Sequence, residues 1–347
     1  MMESLSALAV VPKAKAIAAR RLTKTEYAEL MRKHSVLEIV AYLKEHPYFR
    51  HSLAGLDSAD VHREQLEQAL NKDIFYKYES LMHYVSNKEG FAGFFMMRCE
   101  IEELLQKLRL LAMGFHHHYI TQLPGFLADK TSFSLIRLAQ AETPQQCLAV
   151  VAGTPYARIL APIIPKEGMK LDHLECERVL WTYYYETSLK KIRAGRYAAD
   201  TKRLFLMQAE IYNIDMLYRA KAFFAHAFTP QQLRRLMLPY HYALGPKTTA
   251  RLAQAADLEE FLRIYNTSHA KEVYGERTAA PDIDDSVCAH RTLHKAATRL
   301  LHFSSSPDTV LVALLCLATI ERSNIVSIVE GVRYGLSATQ MQEFMKY

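Results

Sequence analysis

The chain has 347 residues, of which 50% are apolar and 23% charged, and its net charge is +6 at neutral pH. This length can bury a sizeable core in two or three modules of about 100 to 150 residues. The modest positive charge, without a long basic run, favours acidic partners and does not require nucleic acid. The five cysteines are far apart and never form a C-x-x-C pair, which is typical of reduced thiols in a cytosolic protein.

The N-terminal segment carries a short apolar patch that is followed by a cluster of basic residues. Glu3 stands before the patch and the basic residues come after it, so we expect neither a secretory signal nor an anchor. The basic cluster predicts either a solvated helix face or a docking face for an acidic partner or anionic lipid headgroups. Both alternatives stay open at this point. The cluster comprises Lys13, Lys15, Arg20, Arg21 and Lys24.

Apolar residues recur at three- and four-residue spacing along most of the chain, which predicts an all-α protein. Only 12 glycines and 12 prolines interrupt this pattern. A helix-start motif occurs three times, with a capping side chain followed three residues later by Glu or Gln. The motifs begin at Ser35, Thr143 and Asp257, at offsets of 108 and 114 residues.

A second landmark repeats with nearly the same period. The segments FFMMRCEIEELL, LFLMQAEIYNID and LCLATIERSNIV align on Glu100, Glu210 and Glu321, which are 110 and 111 residues apart. Two independent landmarks with one period predict three similar helical modules, at residues 1–120, 121–225 and 226–347. A pseudo-threefold arrangement would place their equivalent residues around one axis.

Each of these three carboxylates lies on an apolar helical stripe, because the residues three or four positions before it and four positions after it are apolar. One interpretation is a hydrogen-bonded polar pin that sets the register of a helix against its neighbours. The other interpretation is an interface lining of a central opening. The residues three positions later share the edge of the stripe. The candidate residues are Glu100, Glu103, Glu210, Asn213, Glu321 and Asn324.

The most apolar run of the chain, Val310 to Ile320, has 11 residues and only Thr319 interrupts it. A helix needs about 20 apolar residues to span a bilayer, so this run predicts a buried helix and no transmembrane segment.

Three stretches in this order, RRLTKTEYAELMRKHSVLEIVAYLKEHPYF, AEIYNIDMLYRAK and IERSNIVSIVEGVRYGLSATQMQEFM, give the chain a family resemblance. Together with the three-unit period, they resemble the central-stalk C subunit of prokaryotic V-type (A-type) rotary ATPases, the relative of the eukaryotic V-ATPase d subunit. The resemblance runs along essentially the whole chain. Glu103 departs from the repeat, since the other two copies have Asn.

The resemblance implies an all-helical, funnel-like assembly of three similar domains at the cytoplasmic face of the membrane. Such a protein is peripheral, sits on the proteolipid ring of the membrane rotor and receives the end of the central shaft. The implied partners are the shaft subunits of D and F type and the proteolipid ring. The implied role is coupling in ATP-driven ion transport, including hydrogen ion transport, or in ATP synthesis.

Motifs for catalysis are missing or weak. There is no G-x-x-x-x-G-K-[ST] and no G-x-G, so no backbone nest is available for nucleotide phosphates. The consecutive residues His116, His117 and His118 cannot converge on one ion from a helix, where successive side chains point about 100° apart. The acidic motif at Asp282, Asp284 and Asp285 is typical of a loop and the first turn of a helix.

We therefore expect a chain that is not an enzyme and holds no cofactor or metal. The alternative function is a helical-repeat scaffold that binds an acidic partner or nucleic acid. The resemblance favours the rotary role, and no nucleic acid is expected as a partner.

Overall fold

The structure is a computed structural model that describes residues 2–56, 61, 63–85, 87, 90–115, 119, 123–166, 168–224, 227–279 and 287–347, with side chains from residue 9 onward. Across these residues the regular secondary structure consists of α-helices and short 3-10 helices, without a β-strand. The predicted all-α fold is confirmed, whereas the three modules and their pseudo-threefold arrangement stay a prediction.

The helices follow one another with short connections. The first six are α1 (Met2–Ala18), α2 (Lys24–Leu30), α3 (Val36–Glu45), α4 (Arg50–Leu53), α5 (Arg63–Met82) and α6 (Phe94–Ala112). The next six are α7 (Leu135–Gln140), α8 (Pro144–Val150), α9 (Pro155–Leu160), α10 (His173–Lys191), α11 (Ala198–Phe223) and α12 (Pro230–Leu236). The last six are α13 (Pro246–Gln254), α14 (Leu258–Asn266), α15 (His269–Tyr274), α16 (Val287–Phe303), α17 (Pro307–Arg333) and α18 (Ala338–Glu343). Two 3-10 helices, Phe91–Gly93 and Gly125–Leu127, lie between them.

The chain divides into two compact units. The unit that contains both chain ends, called the terminal unit, comprises Met1–Lys88, Ile192–Arg234 and Tyr240–Tyr347. The other, called the middle unit, comprises Glu89–Lys191 and Arg235–Pro239.

The three predicted helix starts form with a common hydrogen-bond pattern. The side chains of Ser35, Thr143 and Asp257 accept a bond from the backbone amide three residues on, at the starts of α3, α8 and α14. The Glu or Gln side chain at that third position then accepts a bond from the amide just before the cap residue. This differs from the expected capping box, in which the cap residue itself is the donor. These return donors are the amides of His34, Glu142 and Ala256.

One apolar core in the terminal unit joins the two ends of the chain. Helices α2, α3 and α5 contribute buried side chains from the N-terminal side, and α17 and α18 contribute them from the C-terminal side. Burial of apolar surface is the main favourable term in folding, so this core ties sequence-distant segments together. Its members include Leu30, Ile39, Leu43, Leu70, Ile325, Ile328, Val329 and Met345.

Helix α17 has clear start and stop signals. Ser306 caps it by accepting the amide of Thr309, and Pro307 occupies the first turn, where its missing N–H costs nothing. After the last turn, Gly335 adopts φ 69°, a left-handed conformation that glycine tolerates. Gly331 allows α18 to pack closely, because a Cβ added there would lie 2.5 Å from the Met341 side chain.

By length and composition α17 could also cross a membrane, which the shorter apolar run in the sequence did not suggest. Its 27 residues include a window with a mean hydropathy of 1.7, and 72% of that window is buried inside the structure. Such burial is typical of a core helix.

Candidate functional site: three buried carboxylates

Glu210, on the long helix α11, has the most complete set of hydrogen-bond donors of the three carboxylates. Its Oε1 accepts the backbone amides of Tyr242 at 2.7 Å and Leu244 at 2.9 Å. Its Oε2 accepts the amide of Ala243 at 2.7 Å and the hydroxyl of Tyr274 at 2.9 Å. The side chain is 2% exposed. Since four donors point at it, this buried carboxylate is fully solvated by the protein.

Glu100, on α6 in the middle unit, has a similar environment. Its Oε1 accepts the backbone amide of Ser132, and its Oε2 accepts the hydroxyl of Tyr156 at 2.6 Å. Burial, followed by the charge of Glu100, raises the pKa of Tyr156, so the hydroxyl keeps its proton and remains a donor. The carboxylate therefore holds the turn before α7 and the first turn of α9 against α6.

Glu321, on α17, is 1% exposed and has fewer donors. Its Oε1 accepts the backbone amide of Leu22 at 3.0 Å. Its Oε2 lies 3.6 Å from Nε of Arg21 and accepts no hydrogen bond from the described residues. Burial raises the pKa of Glu321, and the nearby charges of Arg21 and Lys77 oppose this shift. The third carboxylate is thus held mainly by charge, whereas the first two are held by hydrogen bonds.

The three sites share a design and differ in where the partner segment lies in the chain. For both Glu100 and Glu210, a backbone amide 32 residues later donates to the carboxylate, and a tyrosine hydroxyl from a short helix adds a second bond. Glu321 instead takes its amide from a segment 299 residues earlier. Tyr48, which aligns with Tyr156 in the repeat, lies close to Glu321, whose charge adds to burial in raising the pKa of the Tyr48 hydroxyl.

The polar residues one turn further along the same helices are also enclosed. Glu103 accepts the hydroxyl of Tyr119 at 2.6 Å, and burial raises the pKa of this carboxyl to about 7. The side-chain oxygen of Asn324 accepts the backbone amide of Lys346 at 2.9 Å, which ties the end of the chain to α17. Asn213 is 2% exposed on α11.

The five residues of the basic cluster have different surroundings. Lys15 donates to the backbone carbonyl of His302 at 2.8 Å. Arg21 lies beside Glu321 and donates to Nε2 of His294 at 3.4 Å. Lys24 lies 5.9 Å from the ring centre of Tyr347. The remaining two, Lys13 and Arg20, are exposed and line one surface cleft.

Sequence reasoning did not single out several buried cations. Lys107 and Lys221 donate to the carbonyls of Ala139 and Ala255 in the two LAQA segments, and burial lowers the pKa of both amines. The repeated LAQA motif was the available signal, since each copy presents a helix end to a lysine. Lys77 forms a buried ion pair with Asp73 four residues earlier, a spacing that could have indicated it.

Neither the structure nor the sequence assembles a metal site in the described part of the chain. No group of three His, Cys, Asp or Glu side chains there is placed to hold an ion. His116, His117 and His118, and also Asp282, Asp284 and Asp285, lie outside the described residues.

Comparison with known proteins identifies a family. Residues 10–344 match the family model described as ATP synthase (C/AC39) subunit. The C subunit of the A-type ATP synthase of Methanosphaera stadtmanae is 23% identical over 256 residues, which cover 71% of this chain and 62% of that relative. The C subunit of the A-type ATP synthase of Thermococcus kodakarensis is 21% identical over 227 residues, covering 65% of this chain and 59% of the relative. The chain thus spans about three fifths of the length of these curated relatives.

Proposed function

Because the chain belongs to the ATP synthase (C/AC39) subunit family, we propose that it is the central-stalk component that couples the soluble shaft of a rotary V-type ATPase to its membrane ring. The match over residues 10–344 is the observation that carries this proposal. In this role the chain has no catalytic function of its own, as its relatives are named as a subunit of an ATP synthase.

A torque-transmitting adaptor must resist deformation, and the helix packing of this chain supports such a role. Protein interiors are packed as densely as organic crystals and have low compressibility. Helix α17 is buried along most of its length, and the core of the terminal unit joins segments from both chain ends. A load applied to one end of the chain is therefore shared with the other.

In this proposal Glu100, Glu210 and Glu321 are polar pins, each holding a long helix against a neighbouring turn. Their donors argue for the pin interpretation over the lining of a water-filled opening, because each side chain is at most 7% exposed. Glu103, Asn213 and Asn324 would add a second polar position one turn later. The recurrence of amide and tyrosine donors at Glu100 and Glu210 supports three similar modules near residues 1–120, 121–225 and 226–347.

The partners in this proposal are the shaft subunits of D and F type on one side and the proteolipid ring on the other. The chain would be a peripheral protein at the cytoplasmic face of the membrane, with α17 acting as a core helix. The coupled process is ATP-driven ion transport or ATP synthesis.

Coupling can be tested in inverted membrane vesicles from cells that carry the complete ATPase or lack this chain. We expect vesicles without the chain to lose ATP-driven ion pumping, because torque cannot reach the ring. ATP hydrolysis by the detached catalytic head should persist in solution. Adding back the purified chain together with the head should restore pumping. Pumping that survives loss of the chain would refute the proposal.

A further inference from the structure

A surface cleft of about 230 Å³ lies within the N-terminal part of the terminal unit, between α1, the turn around Pro47 and α5. Lys13, Ala16 and Ile17 line it from α1, since residues three and four apart share a helix face. Arg20 lines it from the turn that follows α1. The opposite wall consists of Pro47, Tyr48, His51, Ser52, Asp73, Tyr76, Lys77 and Ser80.

The floor of the cleft is electrically balanced. Asp73 and Lys77 are buried and form an ion pair, and the hydroxyl of Ser52 donates to Asp73 at 2.9 Å. The ammonium of Lys77 also lies 3.5 Å from the ring centre of Tyr48. Because this pair neutralises itself, it contributes little net charge to a ligand in the cleft.

The rim of the cleft is cationic. Lys13 and Arg20 are exposed, and neither forms an ion pair with another described residue. His51 and Tyr76 face them, with ring centres 6.2 Å apart. Asp73 is the one acidic residue of the lining, and it is committed to Lys77. The cleft therefore offers two unneutralised positive charges even when His51 is neutral.

We propose that this cleft binds a phosphate monoester, held by Lys13 and Arg20 at the rim with His51 and Tyr76 as additional hydrogen-bond donors. A phosphate monoester carries a charge of about −1.5 to −2 at neutral pH, which matches the two free cations. The guanidinium fork of Arg20 suits two phosphate oxygens at once, and Lys13 supplies a flexible point charge.

The size of the cleft limits the rest of the ligand. Its volume is below the roughly 300 to 1,000 Å³ of pockets for drug-sized ligands, so the phosphate carries a small organic body. Ala16, Ile17 and Pro47 offer apolar contact to that body. A single carboxylate of an acidic peptide would leave one cation unpaired. The same chemistry could come from a phosphomonoester lipid headgroup or from a free phosphate compound, and the inference does not depend on the rotary role.

Binding can be measured with the full chain in two arms. One arm follows inorganic phosphate by ³¹P NMR, and the other follows flotation with vesicles of phosphatidic acid in phosphatidylcholine against phosphatidylcholine alone. The test variant is Lys13→Gln with Arg20→Gln. The matched control is Lys24→Gln with Arg32→Gln, which removes the same two charge types from exposed positions outside the cleft.

We expect the cleft variant to weaken binding at least tenfold and the control to change it less than twofold, with equal melting temperatures. Binding of phosphate in solution supports a free phosphate compound, and binding only to phosphatidic acid vesicles supports a lipid headgroup. The proposal fails if the native chain binds neither probe, or if both variants lose binding equally. It also fails if a glutamate-rich peptide displaces phosphate at equal concentration.

Discussion

The carboxylate of Glu321 accepts the backbone amide of Leu22 at 3.0 Å, across 299 residues of sequence. This bond joins the segment after α1 to the middle of α17, beside the core that contains both chain ends. Glu100 and Glu210 take their amides from segments that follow them by 32 residues. The N-terminal segment therefore provides for the last carboxylate what later segments provide for the first two.

Replacing Glu321 by Leu should lower the free energy of unfolding. The substitution leaves the buried amide of Leu22 and the guanidinium of Arg21 without an acceptor, at a cost of about 1 to 3 kcal/mol. Urea denaturation measures this loss. Glu45→Leu, at an exposed position of the same unit, is the control and should change stability by less than about 0.5 kcal/mol. A Glu321→Leu variant as stable as the native chain would remove the pin interpretation for this residue.

Replacing Glu by Gln should cost more at position 210 than at position 321. Both oxygens of Glu210 accept two bonds each, so the amide group of Gln would point its N–H bonds at two donors. We expect a loss of about 2 to 4 kcal/mol there. At Glu321, Oε2 accepts no bond from the described residues, and the Gln amide can occupy that side for about 1 kcal/mol. The two midpoints in urea compare them directly, and the reverse order would contradict the difference between the two donor sets.

Glu103 should make stability fall as pH rises from about 4.5 to 7. Its pKa is raised from 4.5 to about 7 in the folded chain, mainly by burial, so the folded state binds more protons in this interval. Stability from this group is complete below pH 4.5 and is lost as pH approaches 7, by as much as about 3 kcal/mol. Glu103→Gln, which cannot ionise, should remove this part of the pH dependence. Glu186→Gln, exposed on α10, should leave the pH profile unchanged.

His294 should act in the opposite direction. Burial, followed by the charges of Arg21 and Lys24, lowers its pKa from 6.5 to about 4, so the unfolded state binds more protons between these values. Stability from neutral His294 is complete above pH 6.5 and is lost as pH falls towards 4. His294→Gln should reduce the acid-induced loss, as measured by melting temperature at pH 7 and pH 5. His302→Gln, exposed at the end of the same helix, should reduce it by much less.

Features set by nearby residues could be predicted from the sequence. The caps at Ser35, Thr143 and Asp257 depend on contacts three or four residues away, and all three form. The burial of Glu321 followed from the apolar residues one turn before and after it. In both cases the helix period alone places the interacting side chains.

Features set by distant residues could not be predicted. The donors of Glu321 come from Arg21 and Leu22, and no local pattern links them to α17. Likewise, the basic cluster is one group in sequence, yet Arg21 turns inward to a carboxylate while Lys13 stays in water. Which side chain turns inward depends on the packing of α1 and its following turn against other helices, and that packing is not visible in composition or spacing.

Whether this chain joins shaft to ring can be decided by a binding measurement with three purified components. The shaft subunits of D and F type are mixed with the detergent-solubilised proteolipid ring, with and without the chain, and complexes are separated by size. We expect one complex that contains shaft, chain and ring when all are present, and separate shaft and ring when the chain is omitted. A shaft that binds the ring equally well without the chain, or a chain that binds neither component, would contradict the proposed coupling role.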